Sequence, residues 1–282
     1  MDVYKKLKLK TYEDRSFIKK FLAKYRVLTY KKRALPDFLI LGTQKGGTTS
    51  LYRYIATHPN IKPNYVVKEL SFFDELFSRG IPWYKSNFPI RKKHYLYYEG
   101  TTHYLFNPNC ALRVSEILPN CKFIVLLRNP VSRAFSSYKH QVRAGREKLS
   151  FEDAVSKEKE RLKGEKDKLI ADKNYFSYNY QHFSYLERGK YAEQIKIWFK
   201  YFPKSSFLFL KSEEFYRDTQ KSLEEVCEFL EIKKIKFNVK KKFNSVPYNE
   251  KISDDVKHEL EKFFKSHNEE LKKLIGKSFT WK

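Results

Sequence analysis

Cysteine and long apolar runs are both scarce in this chain, and each scarcity narrows what it can be. Three cysteines, Cys110, Cys121 and Cys227, form no Cys-x-x-Cys pair, and their odd number argues against a closed disulfide framework. A reducing compartment is the simpler expectation. No apolar run approaches the ~18 residues a membrane-spanning helix needs. The start, Met1-Asp2-Val3-Tyr4-Lys5-Lys6-Leu7-Lys8, has no apolar core of signal-peptide length. A soluble, cytoplasmic protein is expected. The residues read below as the site include no carboxylate cluster and no His/Cys set at metal-ligand spacing, so no metal is expected.

What is present is base. Lys and Arg total 58 against 33 Asp and Glu, a formal charge of +25 over 282 residues. That imbalance favours anionic partners: a nucleotide, an acidic glycan, nucleic acid or an anionic membrane surface. The lysines are spread along the chain, which also suits a merely solvated surface. Apolar residues make up 41%, enough for one substantial core, so global disorder is excluded.

Residues 1–35 are basic and precede Pro36. Phe17, Phe21, Leu22, Tyr25 and Leu28 recur at helical spacing, so an amphipathic helix is expected. Packing on the domain is the expected use of its apolar face; contact with an anionic membrane is the other reading. Residues 36–282 read as one domain. Strands are expected at 37–42, 95–99, 122–128 and 206–211. Helices are expected after the first strand and at 131–143, 150–163, 191–201, 213–230 and 253–274, with a polar loop or lid at 164–179. Alternation of this kind gives an α/β fold, three layers with a mostly parallel sheet flanked by helices.

The most informative stretch is Phe38-Leu39-Ile40-Leu41-Gly42-Thr43-Gln44-Lys45-Gly46-Gly47-Thr48-Thr49-Ser50-Leu51. An apolar strand turns through glycines into a helix, and backbone N–H groups at a helix N-terminus attract phosphate or sulfate. Gly46 and Gly47 allow close approach, while Thr48, Thr49 and Ser50 add hydroxyl donors. An ATP-binding loop places lysine directly after the second glycine of its motif. Here that slot holds Thr48 and the lysine sits earlier, at Lys45. A second strand, ending at Arg128, leads into Asn129-Pro130 and a helix carrying Ser136. A guanidinium at the carboxyl end of a buried strand can hold a phosphate bidentately. Phosphoryl transfer would instead call for an aspartate there to hold Mg²⁺.

These segments resemble the sulfotransferases that use 3′-phosphoadenosine 5′-phosphosulfate (PAPS). The Gly42–Ser50 loop is similar to their 5′-phosphosulfate loop, and Arg128 with Ser136 matches their 3′-phosphate motif. Lys68-Glu69-Leu70-Ser71-Phe72-Phe73-Asp74 resembles the Glu-x-x-Phe-Phe block of the heparan sulfate N- and 3-O-sulfotransferase branch. The likeness runs over roughly residues 36–282. It implies the P-loop-NTPase-like sulfotransferase fold and in-line transfer from PAPS to a hydroxyl or amine of a carbohydrate, releasing 3′,5′-ADP. Lys45, Gly46, Gly47, Thr48, Thr49, Ser50, Arg128 and Ser136 would bind the donor, with Lys45 also catalytic. Glu69 would be the general base, its pKa raised by partial burial beside Phe72 and Phe73. His140 is a secondary catalytic candidate. Lys68, Phe73, His103 and Tyr104 are candidates to bind the acceptor.

Two departures qualify the likeness. Glu99-Gly100-Thr101 stands where the family reads Glu-Lys-Thr/Ser, so a lysine at the acceptor is replaced by Gly100. Residues 240–251 lack the cysteines and the basic run of a nucleotide-covering loop in the glycan enzymes. A small alcohol, lipid or other metabolite therefore stays open as acceptor. A basic nucleic-acid-binding protein or an NTP-dependent kinase are the readings of other classes; the chain shows no recognised nucleic-acid motif, and none is the expectation.

Overall fold

The computed structural model describes residues 17–65, 68–239, 252–276, 279 and 281. Residues 240–251 lie outside them. Five strands, β1 (Phe38–Gly42), β2 (Ile61–Pro63), β3 (Leu96–Gly100), β4 (Lys122–Leu127) and β5 (Phe207–Lys211), form one sheet in the order β2-β3-β1-β4-β5. Every pairing is parallel. β1 is central, and its continuous apolar sequence follows from burial on both faces. Alternate residues serve opposite layers. Leu39, Leu41, Phe123 and Val125 join a cluster with Ile195 and Trp198, whereas Phe38, Ile40, Ile124 and Leu126 join one with Leu51, Ile55 and Val226. The three-layer α/β arrangement is thus the one expected.

The helices used below are α1 (Phe17–Leu28), α2 (Thr48–Ile55), α3 (Gly80–Ser86), α4 (Cys110–Ile117) and α5 (Pro130–Arg143). They continue as α6 (Phe151–Ser156), α7 (Glu158–Arg161), α8 (Glu165–Ala171), α9 (Tyr178–His182) and α10 (Tyr191–Phe199), then α11 (Ser212–Arg217), α12 (Thr219–Phe229) and α13 (Asp254–Ile275). α5 starts where it does because the Asn129 side chain accepts from the Ser132 amide at 3.0 Å and Pro130 occupies the first turn.

Several boundaries differ from the sequence expectation, for identifiable reasons. Residues 150–163 are two short helices, α6 and α7: buried Glu158 turns inward to accept from the Leu186 and Glu187 amides at 2.6 and 2.9 Å. Residues 213–230 likewise divide at Asp218, whose carboxylate caps α12 by accepting from the Lys221 amide at 3.0 Å. The stretch 164–179 is no open loop. It contains α8, buries Leu169, and gathers Ser177, Tyr175 and Lys168 onto the Glu165 carboxylate. β2, α3 and α4 were not expected. Among the described residues, no helix is long and apolar enough to cross a membrane.

Candidate active site

The ends of four adjacent strands build the site. β1 turns into α2 through Thr43–Gly47, and β4 supports that turn: the Thr43 amide donates to the Leu126 carbonyl at 2.9 Å. From β5 the Ser212 hydroxyl donates to the Gly46 carbonyl. Glycine is required at 46 because a Cβ would stand 2.6 Å from the Leu126 oxygen. At Gly47 a Cβ would meet the Tyr216 hydroxyl at 2.6 Å, and φ is 97°. α2 begins without any side-chain cap; the Ser50 amide donates to the Gly47 carbonyl at 3.0 Å, and the Thr48 and Thr49 N–H groups at the helix start are placed to meet an anion. Thr48 and Ser50 are buried in that first turn and Thr49 is half-buried.

Cations surround this cradle. Lys45 sits in the loop at φ 67°, a conformation L-residues rarely adopt, and its carbonyl accepts from Arg128 Nη1 at 3.0 Å. Burial, then the Arg143 and Arg128 guanidinium groups, hold the Lys45 ammonium below its ordinary pKa. On α5, Ser136, His140 and Arg143 fall at i, i+4 and i+7 and share one face. Arg143 Nη2 lies 3.4 Å from His140 Nδ1. Burial, followed by Lys45, Arg143 and Arg146, pushes His140 down to about 4, so the ring is neutral near pH 7. Ser136 is half-buried, and the neighbouring Ser137 hydroxyl donates to Gln44 Oε1 in the loop at 3.2 Å.

Across β1, the end of β3 holds Glu69. Its amide donates to the Gly100 carbonyl at 2.9 Å, and its φ is 68°. The carboxylate accepts from the Thr102 amide at 2.8 Å and the Thr102 hydroxyl at 3.1 Å, and is paired with Lys68. The side chain is nonetheless 38% exposed, so an acceptor can reach it. Burial raises the Glu69 pKa, but the Lys68 charge and the Lys68 and Thr102 hydrogen bonds outweigh it, and the net shift is downward. This reverses the sequence expectation. Phe72 and Phe73 pack in the core against Phe77 and Tyr84.

The same geometry revises the acceptor candidates. Phe73 and Tyr104 are fully buried, and the Tyr104 hydroxyl accepts from the Phe72 and Phe73 amides at 2.7 and 3.2 Å. Neither presents side-chain surface to a ligand; both shape the wall behind Glu69. His103 keeps a small exposed edge and pairs with Asp74 at 3.1 Å. Lys68 is half-buried beside Glu69. At Gly100, a Cβ would approach Tyr52 Cδ2 at 3.2 Å and Ile40 Cβ at 3.3 Å. The Tyr52 ring, tilted against Tyr98 at 4.7 Å, thus lies beside the position where the resembling enzymes have lysine.

Sequence reasoning missed Arg143, Ser137, Gln44, Thr102, Ser212 and Arg188. Arg143 was findable, since it continues the Ser136–His140 helical stripe. Arg188 carries no local signal. It is buried, packs 4.6 Å over Phe106, donates to the Gln181 carbonyl at 2.8 Å, and is pushed down to about 9 by burial and then by Arg133. Among the described residues no group of three His, Cys, Asp or Glu could hold a metal ion.

An uncapped helix N-terminus ringed by Lys45, Arg128 and Arg143, with an ionised carboxylate on the neighbouring strand end, defines an α/β protein built to handle a phosphate- or sulfate-bearing ligand. The family model described as the sulfotransferase domain matches residues 35–275, and the chain belongs to that family. It is similar to the membrane-associated sulfotransferase kil1 of Dictyostelium discoideum, 27% identical over 89% of this chain and 67% of the relative. It is also similar to mouse heparan sulfate glucosamine 3-O-sulfotransferase 3B1, 26% identical over 88% of this chain. The chain spans 65% of that enzyme's length. The crystal structure of a sulfotransferase from Alicyclobacillus acidocaldarius superposes with a TM-score of 0.66 at 30% identity, covering 87% of this chain and 98% of that one.

Proposed function

We propose that the chain transfers the sulfuryl group of PAPS to a hydroxyl or amine of a carbohydrate and releases 3′,5′-ADP. The observation that carries this is the pairing of β1 with β3. It sets the Lys45 loop and the Glu69 carboxylate on neighbouring strand ends, both on backbone held at positive φ. Non-glycine residues in that region are strained and cluster at functional sites.

The residues present fit the donor. The glycines let the loop backbone pass close against β4 and Tyr216, the start of α2 would supply N–H donors, and Lys45, Arg128 and Ser136 would hold its two phosphate ends. PAPS supplies a sulfuryl group on a phosphate leaving group. The acceptor oxygen or nitrogen bonds to sulfur as the bond from sulfur to the 5′-phosphate oxygen breaks, and the acceptor's proton passes to Glu69 Oε. Lys45, held in the loop by Arg128, would stabilise the negative charge that develops on the departing phosphate oxygen. Glu69 is ionised at neutral pH because of Lys68 and Thr102, so it stands ready as a base. His140, neutral beside Lys45, is the second proton-handling group.

The heparan sulfate relatives favour a glycan acceptor. The Gly100 departure favours a second reading, in which a small alcohol or lipid takes the sulfuryl group. Residues 36–282 act as the catalytic domain with 1–35 as an extension, and three buried free thiols suit a cytoplasmic setting. The test is transfer of label from PAPS to a panel of glycans, lipids and small alcohols, alongside a thermal shift with 3′,5′-ADP and with ATP–Mg²⁺. Transfer to an acceptor and stabilisation by 3′,5′-ADP are expected. Stabilisation by ATP–Mg²⁺ alone would move the chain to the kinase class.

A further inference from the structure

We propose that α1 and the surface beside it are an interfacial docking site for an anionic lipid bilayer. The apolar face of α1 was expected to pack on the domain, and its described members Leu22, Tyr25 and Leu28 are exposed instead. Leu28 is 82% exposed, Tyr25 47% and Leu22 41%, and these three recur every third residue along one stripe. Seven of the thirteen exposed large hydrophobic residues described precede residue 91, so the apolar surface is concentrated around α1 and α3. Patches of that kind mark interaction surfaces, whereas scattered single residues do not.

The helix is held firmly enough to present that stripe. Buried Arg33 donates from Nε to the Arg26 carbonyl and the Thr29 hydroxyl, both at 3.0 Å, and from Nη1 to the Phe88 carbonyl at 2.8 Å. The Arg26 guanidinium in turn lies 4.7 Å over the Tyr65 ring. One end of α1 is thereby fixed to the body of the domain while Leu22, Tyr25 and Leu28 face outward.

Charge selects the occupant. Residues 17–36 carry seven Lys and Arg side chains and no acid. A short helix with an apolar stripe and a basic flank lies in the headgroup region of a membrane, and basic residues beside it are drawn to anionic lipid. A second copy of the chain is disfavoured, because a two-fold contact through this face would set its basic residues, Lys24 and Lys31 among them, against their own copies. The proposal is independent of the reaction assigned above.

Sedimentation of the full chain with sucrose-loaded vesicles tests it. Vesicles of phosphatidylcholine with about a third phosphatidylserine should bind the protein, at least tenfold more than pure phosphatidylcholine, and binding should weaken as salt rises. Leu22→Ser/Leu28→Ser keeps every charge and should lower binding at least fivefold; Lys24→Glu/Lys31→Glu should lower it at least as much. Circular dichroism melting on each variant should match the wild type, since these side chains are exposed. No binding to the anionic vesicles overturns the proposal. Binding undiminished in the leucine variant overturns it too, as the apolar stripe would then have no part. Light scattering that shows a dimer dissociated by the leucine variant assigns the face to self-association instead.

Discussion

Arg128 holds Lys45 by its backbone: Nη1 of the guanidinium donates to the Lys45 carbonyl at 3.0 Å. The proposed nucleotide-binding arginine is therefore also a support for the proposed catalytic lysine. Lys45 needs such support, since a left-handed conformation costs a side-chain-bearing residue roughly 1–3 kcal/mol. Arg128→Ala should lower affinity for 3′,5′-ADP about tenfold or more, the worth of a charge-assisted contact, and lower kcat as well because Lys45 loses its anchor. Lys45→Ala should lower kcat with a smaller effect on 3′,5′-ADP affinity. Calorimetric titration and initial rates separate the two. Wild-type affinity in Arg128→Ala would remove the arginine from the nucleotide site.

On the proposed reaction Lys68 should set the acid limb of the pH–rate profile. The Glu69 carboxyl lies below its ordinary pKa on balance because Lys68 and Thr102 offset burial. Activity that needs ionised Glu69 is lost as pH falls through that lowered value. Lys68→Met removes the charge and leaves the burial, so the limb should move to higher pH. Glu69→Gln should keep the fold and 3′,5′-ADP binding and reduce kcat by about 10²–10⁴-fold. A limb unmoved in Lys68→Met, together with a Glu69→Gln rate within about threefold of wild type, would pass the role to His140.

How far such roles could be read from sequence depends on whether the cause is local. The cradle was legible because Gly46, Gly47 and the hydroxyl run act through their own backbone. β1 and β4 were legible because burial on both faces writes a continuous apolar run. The direction of the Glu69 shift was not, since Thr102 is 33 positions away and adjacency to Phe72 says nothing about where the ring points. β2 is three residues long and leaves no pattern. The stretch 164–179 read as a loop because its organising contact is a buried carboxylate, Glu165, which sequence alone counts as surface.

Glu99 should make stability fall as pH rises. It is fully buried at the end of β3, accepts from the Tyr84 hydroxyl at 3.0 Å, and is pushed up to about 8, chiefly by burial. Between its unfolded value near 4.5 and about 8 the folded state keeps a proton that the unfolded state has released. Folding stability therefore declines across that window and levels off above it. Glu99→Gln mimics the protonated form, so its melting temperature should exceed that of the wild type by a margin that grows from pH 5 to pH 8. A constant margin would mean that Glu99 does not titrate in this window.

Chelation should leave turnover intact. The positive charge assigned to the reaction comes from Lys45, Arg128 and the α2 amides, and the loop offers no carboxylate for a divalent ion. Rates measured in millimolar EDTA and in added Mg²⁺ should agree within about twofold. Loss on chelation with recovery on Mg²⁺ would point to a phosphoryl-transfer reaction.

The position of β1 between β3 and β4 has a consequence for how such a protein can change. On the proposed reading the parts that grip the donor hang from β4 and β5, through Leu126, Arg128 and Ser212, while those that face the acceptor hang from β3, through Gly100 and Thr102. Only the central strand belongs to both. Variation on one flank can then accumulate without renegotiating the other except where the two touch, as at Gly100, where a side chain would press on Tyr52 of the cradle helix α2. A chimera that exchanges the β3–α4 stretch for that of another family member while keeping Gly100 would accordingly carry its new acceptor preference on an unaltered donor grip.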